Sequence, residues 1–301
     1  MTSREFEIGI FLPVGGEGMM GGETATYAGL REMARSAERL GYDFVGVLDH
    51  LLFHHWECWT MLGALAEATE TMKLISYVTC TGYRNPALLA RMVDTMDEIS
   101  NGRLILGVGA GDSDTEHENF GYETDKLVSR FEEAMQVIGP LVRDGEIDSF
   151  KGEYYDVHDI RFQPRGPSDG DVPILVGSLG GPRMMRLTAR YADIWTCALL
   201  ATNGTVAGFE AALGRMNEIC HEEGRDPSTL RKMAEAVVRS PGGEPSSWWD
   251  GYTVEGSTES IAEELRAFAD TGADYLMLWI EPNSVSGIES LAEAVQLAKG
   301  D

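Results

Sequence analysis

Eight times along this chain a short apolar run gives way to a segment of helical hydrophobic period, and that alternation constrains the fold more than any other feature. The apolar runs fall at residues 6–12, 44–48, 74–80, 104–108, 174–176, 194–197, 234–238 and 275–280. Between them, sets such as Leu89, Met92, Val93, Met96 and Ile99, or Leu127, Phe131, Met135 and Ile138, recur at three- and four-residue spacing. Near-continuous apolar runs read as strands buried on both faces, and helical crossovers between them imply parallel pairing. Eight such units in 301 residues predict an α/β fold, a (β/α)8 TIM barrel in one domain over 1–301. A doubly wound open sheet is the structural alternative. Residues 145–172 differ in character, with Phe150, Tyr154, Tyr155, Val157, Ile160 and Phe162 among polar residues. They predict a hairpin-like insertion after the fourth strand–helix unit.

Composition narrows the function classes. A formal net charge of −25 excludes nucleic acid and anionic membrane as natural partners, because both demand a basic face. No apolar run is long enough to span a bilayer, and the charged N-terminus lacks a signal-peptide core. Cys58, Cys80, Cys197 and Cys220 are widely spaced, which predicts reduced thiols in a cytoplasmic protein, with neither a disulfide framework nor a zinc site.

The chemistry-bearing residues gather where strands end. The run 104–108 exits through Gly107, Gly109 and Gly111, then Asp112, Asp114 and Glu116. Missing side chains there let a large flat group lie against the backbone, at the strand end where α/β folds bind ligands. This spacing is not the dinucleotide fingerprint, so a Rossmann NAD site is disfavoured. Asp49-His50 closes the second strand; a histidine there serves as acid or base, bonds a cofactor ring, or merely caps the strand. His50, His54 and His55 invite a metal reading, but no further ligand falls at a recognisable spacing. The segment Gly177-Ser178-Leu179-Gly180-Gly181-Pro182 follows a strand and opens a helix, which forms either an anion site or a tight turn. Arg183 and Arg186 supply charge nearby. Trp195 and Trp279 lie in strands as core or as pocket walls, and Trp248-Trp249 sits in a polar loop as lid or packing. The loop around 15–22 is glycine-rich.

Several co-linear motifs resemble the bacterial-luciferase-like monooxygenase superfamily. They are Asp49-His50, the run Asn85-Pro86-Ala87-Leu88-Leu89-Ala90, the stretch from Asp94 through Ser100-Asn101-Gly102-Arg103 to Gly111, and Phe120-Gly121. Phe150-x-Gly-x-Tyr-Tyr155, Pro173 to Gly177, and Ala192-Asp193-x-Trp195 continue the series. The resemblance implies a dimeric (β/α)8 barrel with an insertion that binds FMN or coenzyme F420 at the carboxyl ends of its strands. Strand two ending in Asp-His resembles the F420-dependent branch. In that branch a non-prolyl cis peptide backs the deazaflavin ring, and alignment from Asn85-Pro86 assigns it to Ser76-Tyr77. By the same resemblance Asp49 and His50 contact the ring side. Gly109, Gly111 and Asp112 flank it, and Gly177, Ser178, Gly180, Gly181 and Pro182 take the phosphate. The sugar-phosphate dehydrogenases of the branch carry a lysine after the Ala-Asp strand, whereas residues 196–204 here contain no basic residue. An uncharged substrate near Trp195, Trp279 and Met277 fits better.

The resulting expectation is an F420-dependent oxidoreductase that moves a hydride between the deazaflavin C5 and a small, non-phosphorylated organic substrate. His50 is the expected proton-transfer residue and Asp112 the second candidate. An FMN-dependent monooxygenase served by a reductase is one alternative, and a non-catalytic F420- or FMN-binding protein is another.

Overall fold

The computed structural model describes residues 6–13, 26–52, 56–245 and 248–300. The 15–22 loop falls outside the described residues, as do His54 and His55. In chain order the strands are β1 (Glu7–Phe11), β2 (Phe44–Val47), β3 (Lys73–Ser76), β4 (Thr79–Cys80), β5 (Leu104–Gly109), β6 (Glu146–Lys151), β7 (Asp156–Arg161), β8 (Ile174–Ser178), β9 (Ile194–Cys197), β10 (Arg231–Arg239), β11 (Thr253–Val254) and β12 (Tyr275–Glu281). The helices are α1 (Tyr27–Arg39), α2 (Cys58–Ala68), α3 (Pro86–Ser100), α4 (Asp114–Phe120), α5 (Leu127–Arg143), α6 (Pro182–Tyr191), α7 (Leu199–Thr202), α8 (Val206–Glu222), α9 (Thr258–Thr271) and α10 (Val285–Lys299).

Eight strands pair in parallel around a closed ring, β1-β2-β3-β5-β8-β9-β10-β12 and back to β1. The open-sheet alternative is thereby excluded. The antiparallel β6–β7 hairpin lies between α5 and β8, as the change of sequence character predicts. No helix among the described residues is long and apolar enough to cross a membrane.

Each barrel strand splits its residues between two cores. Ile8, Ile10, Val45, Leu104, Leu106 and Trp195 face outward and join the helices in one large cluster. Phe11, Phe44, Ile75, Tyr77, Ile105, Leu175, Ile194, Met233, Tyr275 and Met277 fill the barrel interior. Inward glycines make room for the large inward side chains. A Cβ at Gly9 would stand 2.2 Å from the Phe44 ring, and one at Gly46 would stand 2.6 Å from the Met277 methyl. The amino-terminal end of the barrel is plugged: Glu7 accepts from Lys73 at 2.5 Å and from Arg231 at 3.2 Å, and Arg231 lies 4.0 Å above the Tyr275 ring. At the opposite, carboxyl-terminal mouth the strands finish in His50, Val78 and Trp279, each partly accessible.

The third apolar run, 74–80, is not one strand. Ile75 pairs with Ile105, but Thr79 pairs with Val108, so four steps along β3–β4 match three along β5. One residue is extra, which makes a bulge at 76–78 that pushes backbone into the barrel. The non-prolyl cis bond lies in this bulge at Tyr77-Val78, not at Ser76-Tyr77. The strand stays regular one residue longer than expected because Ser76 Oγ both donates to Gly107 O (2.9 Å) and accepts from Gly107 N (3.0 Å). The Tyr77 N–H likewise donates to Val47 O at 2.7 Å.

Candidate active site

His50 stands at the carboxyl end of β2, and its neighbours hold it tightly. Asp49, buried beside it, does not turn to the mouth. Its carboxylate accepts both guanidinium nitrogens of Arg84, at 2.6 and 2.8 Å, and the Cys80 N–H at 3.1 Å. Arg84 also reaches Glu57 at 2.7 Å, at the start of α2. Asp49 thus anchors the strand end, its carboxylate engaged by Arg84 and the Cys80 N–H.

The carboxylate that engages His50 is Glu116, fully buried in the first turn of α4. Its Oε2 lies 2.9 Å from His50 Nδ1 and accepts from the Tyr83 hydroxyl at 2.9 Å. Its Oε1 accepts the Leu51 and Leu52 N–H groups at 2.8 and 2.9 Å. Burial acts to raise the Glu116 carboxyl, but the hydrogen bonds from Leu52, His50 and Tyr83 outweigh it and hold the group below its ordinary 4.5. An ionised Glu116 makes His50 Nδ1 the donor in their contact. Asp112 is exposed in the loop before α4, and no side-chain partner binds it among the described residues. The sequence grouped Asp112, Asp114 and Glu116 but not the 66-residue separation that Glu116 closes on His50.

Beside His50 the barrel mouth is floored by backbone. A Cβ at Gly109 would lie 2.9 Å from Val78, and one at Gly177 3.1 Å from the same side chain, so the bulge rests on glycines of β5 and β8. Val78 is the partly buried residue at this platform, while Tyr77 is turned into the barrel interior and Ser76 is buried against the Gly107 backbone. Gly111, at φ +91°, packs against Cys80 and His117, where a Cβ would stand 2.8 Å from each.

The 178–182 loop then forms an open cradle. Gly180 has φ +85°, and Gly181 begins α6 with no capping side chain and nothing within 4 Å of its Cβ position. Pro182 occupies the first helical turn, so the first N–H groups of α6 are open to an anion. The cations expected here are committed elsewhere. Arg183 pairs with Glu132 at 2.7 Å, and Arg186 with Glu222 at 3.4 Å. Arg215 of α8 instead approaches the loop, its Nη2 4.0 Å from the Gly180 Cβ position. It has no acidic partner among the described residues.

The far side of the mouth, β9 to β1, is built from side chains. Trp279 is half-buried, stacked on Phe11 (centroids 4.3 Å apart, planes at 19°) and 5.6 Å from the Trp248 ring. Its indole N–H donates to Glu235 Oε2 at 3.0 Å. Glu235 Oε1 accepts from the Tyr77 hydroxyl at 2.7 Å and from Thr196 at 3.3 Å. Burial pushes Glu235 up to about 7, against lowering contributions from Tyr77, Trp279, the Leu199 N–H and Thr196. Trp195 requires correction as a pocket residue. It is 0% exposed on the outer face of β9, stacked 6.3 Å from Phe209. Ile194 and Thr196 take the inward positions of that strand.

Among the described residues no group of three or more His, Cys, Asp or Glu is arranged to hold a metal ion.

A sequence profile described as luciferase-like monooxygenase matches residues 6–240, through every element of the mouth up to β10. The chain belongs to the luciferase-like monooxygenase family. Phthiodiolone/phenolphthiodiolone dimycocerosates ketoreductase of Mycobacterium tuberculosis (strain CDC 1551 / Oshkosh) is 36% identical to it over 182 residues, which are 60% of this chain and 46% of that protein. The chain thus spans about half the length of the curated relatives it matches. Two solved structures share the fold over nearly the whole chain. An F420-dependent secondary alcohol dehydrogenase in complex with an F420-acetone adduct gives a TM-score of 0.79 at 20% identity, over 98% of this chain and 99% of the other. The oxygenating constituent of 3,6-diketocamphane monooxygenase from Pseudomonas putida, in complex with FMN, gives 0.78 at 16% identity, over 98% and 99%.

Proposed function

We propose that this family member is an F420-dependent oxidoreductase acting on a small, uncharged carbonyl or hydroxyl compound. The observation that carries the reading is the His50–Glu116 pair at the end of β2, beside a bare floor of Val78, Gly109 and Gly177. The ketoreductase name of a 36% identical relative supports carbonyl chemistry. The floor suits a flat ring because side chains are absent where it would lie, and the uncapped start of α6 suits a phosphate. Val78, Gly109 and Gly177 would bear the ring, and Ser178, Gly181 and Arg215 the anionic part.

Bound there, a deazaflavin supplies or accepts a hydride at C5. The chain's own contribution is orientation and a proton. In the reducing direction protonated His50 donates from Nε2 to the developing alkoxide oxygen, while ionised Glu116 holds Nδ1–H and fixes the ring. In the oxidising direction neutral His50 takes the hydroxyl proton at Nε2, and Glu116 stabilises the imidazolium that forms. Tyr83 and the Leu51 and Leu52 N–H groups keep Glu116 ionised throughout. Phe11, Trp279 and Trp248 exclude water from the far side of the mouth.

The test is a fluorescence titration of the protein with F420 and with FMN, oxidised and reduced, followed by turnover of His50→Ala. The reading expects F420 to bind at least about tenfold more tightly than FMN. It expects His50→Ala to lower kcat by about 10²–10⁴-fold with F420 affinity kept. Preference for reduced FMN with substrate-dependent oxygen uptake would overturn it in favour of a monooxygenase served by a reductase. Tight binding without turnover of any carbonyl or alcohol would leave a non-catalytic binding protein.

A further inference from the structure

Glu235 is a carboxylate 5% exposed inside the barrel, and the reaction just described does not use it. Three side chains converge on it: Tyr77 beyond β3, Thr196 of β9 and Trp279 of β12. The two hydroxyls also contact each other at 2.9 Å, which closes a triangle beneath the mouth. Of the groups bound to Glu235, Trp279 is the one that reaches the accessible end. Phe11 stacks on one face of its ring, and Glu235 takes its N–H.

We propose that Glu235 is the positioning residue of the substrate side of the mouth: by accepting the Trp279 N–H from below, it fixes the ring that walls the pocket, and so sets affinity for an uncharged organic substrate without entering the reaction. The substrate clause rests on the function proposed above; the fixing of Trp279 does not. An indole can rotate about two side-chain bonds, and stacking on Phe11 alone leaves the ring free to slide in its plane. A hydrogen bond to a buried, anchored acceptor removes that freedom. The anchor is itself held, because Oε1 is engaged by Thr196 of the neighbouring β9 and by Tyr77 from across the barrel. The acceptor needs an oxygen toward Trp279. The side chains facing Oε1 are hydroxyls, which can turn to accept as well as to donate. Glutamine therefore satisfies the same geometry, with its carbonyl to Trp279 and its amide to Tyr77 and Thr196. Methionine fills the volume and offers no strong acceptor.

That difference supplies the test. Glu235→Gln and Glu235→Met are each prepared with and without Trp279→Phe, and acrylamide quenching of the Trp279 emission is taken by difference in protein without ligand. Trp279 should be more accessible to quencher in the Glu235→Met protein and unchanged in the Glu235→Gln protein. Equal quenching in wild type and Glu235→Met would overturn the positioning, whether or not the protein turns over F420. With reduced F420 and cyclohexanone as probe, Glu235→Met should raise KM about tenfold with a smaller change in kcat, and Glu235→Gln should restore KM to within about twofold. F420 affinity should match wild type in both. A parallel loss of F420 affinity in Glu235→Met would assign Glu235 to the cofactor side through Tyr77, and would overturn the inference. Absence of cyclohexanone turnover in wild type bears on the proposed function, and the quenching result then decides the positioning.

Discussion

Glu235 makes the stability of the whole barrel depend on pH in a direction that can be stated in advance. Burial pushes its carboxyl from the ordinary 4.5 up to about 7 in the folded protein. The folded chain therefore holds a proton that the unfolded chain has already released between those values. Where the folded state binds more protons, stability falls as pH rises. The effect is negligible well below 4.5, grows between 4.5 and 7, and is complete above 7. At about 1.4 kcal/mol per unit of pKa the full loss is roughly 3 kcal/mol, of which about 2 kcal/mol falls between pH 5.5 and 8.5. The facing groups do not share this window. Tyr77 is pushed far above its ordinary value by burial and by Glu235, and stays protonated. Cys197 is pushed up to about 11 by burial and by Glu235. Thr196 and Trp279 do not titrate. The measurement is urea unfolding of wild type and Glu235→Gln at both pH values, taken as a double difference, so that general repulsion in a chain of net charge −25 cancels. Wild type should lose about 2 kcal/mol more than the glutamine variant as pH rises. Parallel losses, within about 0.5 kcal/mol, would refute the argument that burial keeps Glu235 protonated to neutral pH.

Two further outcomes follow from the other side of the mouth. Glu116→Gln places an amide where His50 Nδ1–H needs a carboxylate, so kcat should fall roughly 10- to 100-fold while the dissociation constant for F420 moves less than about twofold; steady-state kinetics beside a binding titration checks the split. Arg215→Ala removes the cation beside the 178–182 loop and should weaken F420 about tenfold, with a shallower dependence on salt than wild type; titrations at low and high salt check it, and an unchanged salt dependence would remove Arg215 from the anion site.

The architecture was legible because it rests on period and punctuation. The eight apolar runs, the Asn85-Pro86 helix start and the 145–172 change of character all report local preferences, and the barrel, the α3 cap and the β6–β7 hairpin follow from them. What local pattern does not carry is which face of a strand points inward. Period-two alternation divides β9 into Ile194 and Thr196 against Trp195, and β12 into Tyr275, Met277 and Trp279 against Leu276 and Leu278. It assigns neither set to the interior. That is why Trp195 and Trp279 read alike in sequence and lie on opposite sides of their sheet. Glu235 left a usable trace, an acid between Ala234 and Ala236 in an otherwise apolar run, since a carboxylate in a strand buried on both faces must have partners. Glu116 left less, because its distance from His50 in sequence is closed only by the turn that Ser113 caps at the start of α4.

The mouth divides into two arcs of different material, and the division explains why the family is readable while the substrate is not. From β2 to β8 the surface is backbone: the bulge at Tyr77-Val78, the glycines of β5 and β8, and the uncapped start of α6. A Cβ at Gly107 would stand 1.9 Å from the Ser76 carbonyl, so this arc tolerates little change of residue, and its constraints are written into the sequence as glycines and a proline. From β9 to β1 the surface is side chain: Thr196, Glu235, Trp279, Phe11 and Trp248. Residues there can be exchanged without moving a strand, so chains that share the first arc can act on different compounds. Under the proposed function a hydride donor and its acceptor must meet face to face, and that requirement fixes the distance between the arcs whatever the second one holds. The identity of the substrate is therefore to be sought in the Glu235–Trp279 pair and its neighbours, where the chain is least bound by its fold.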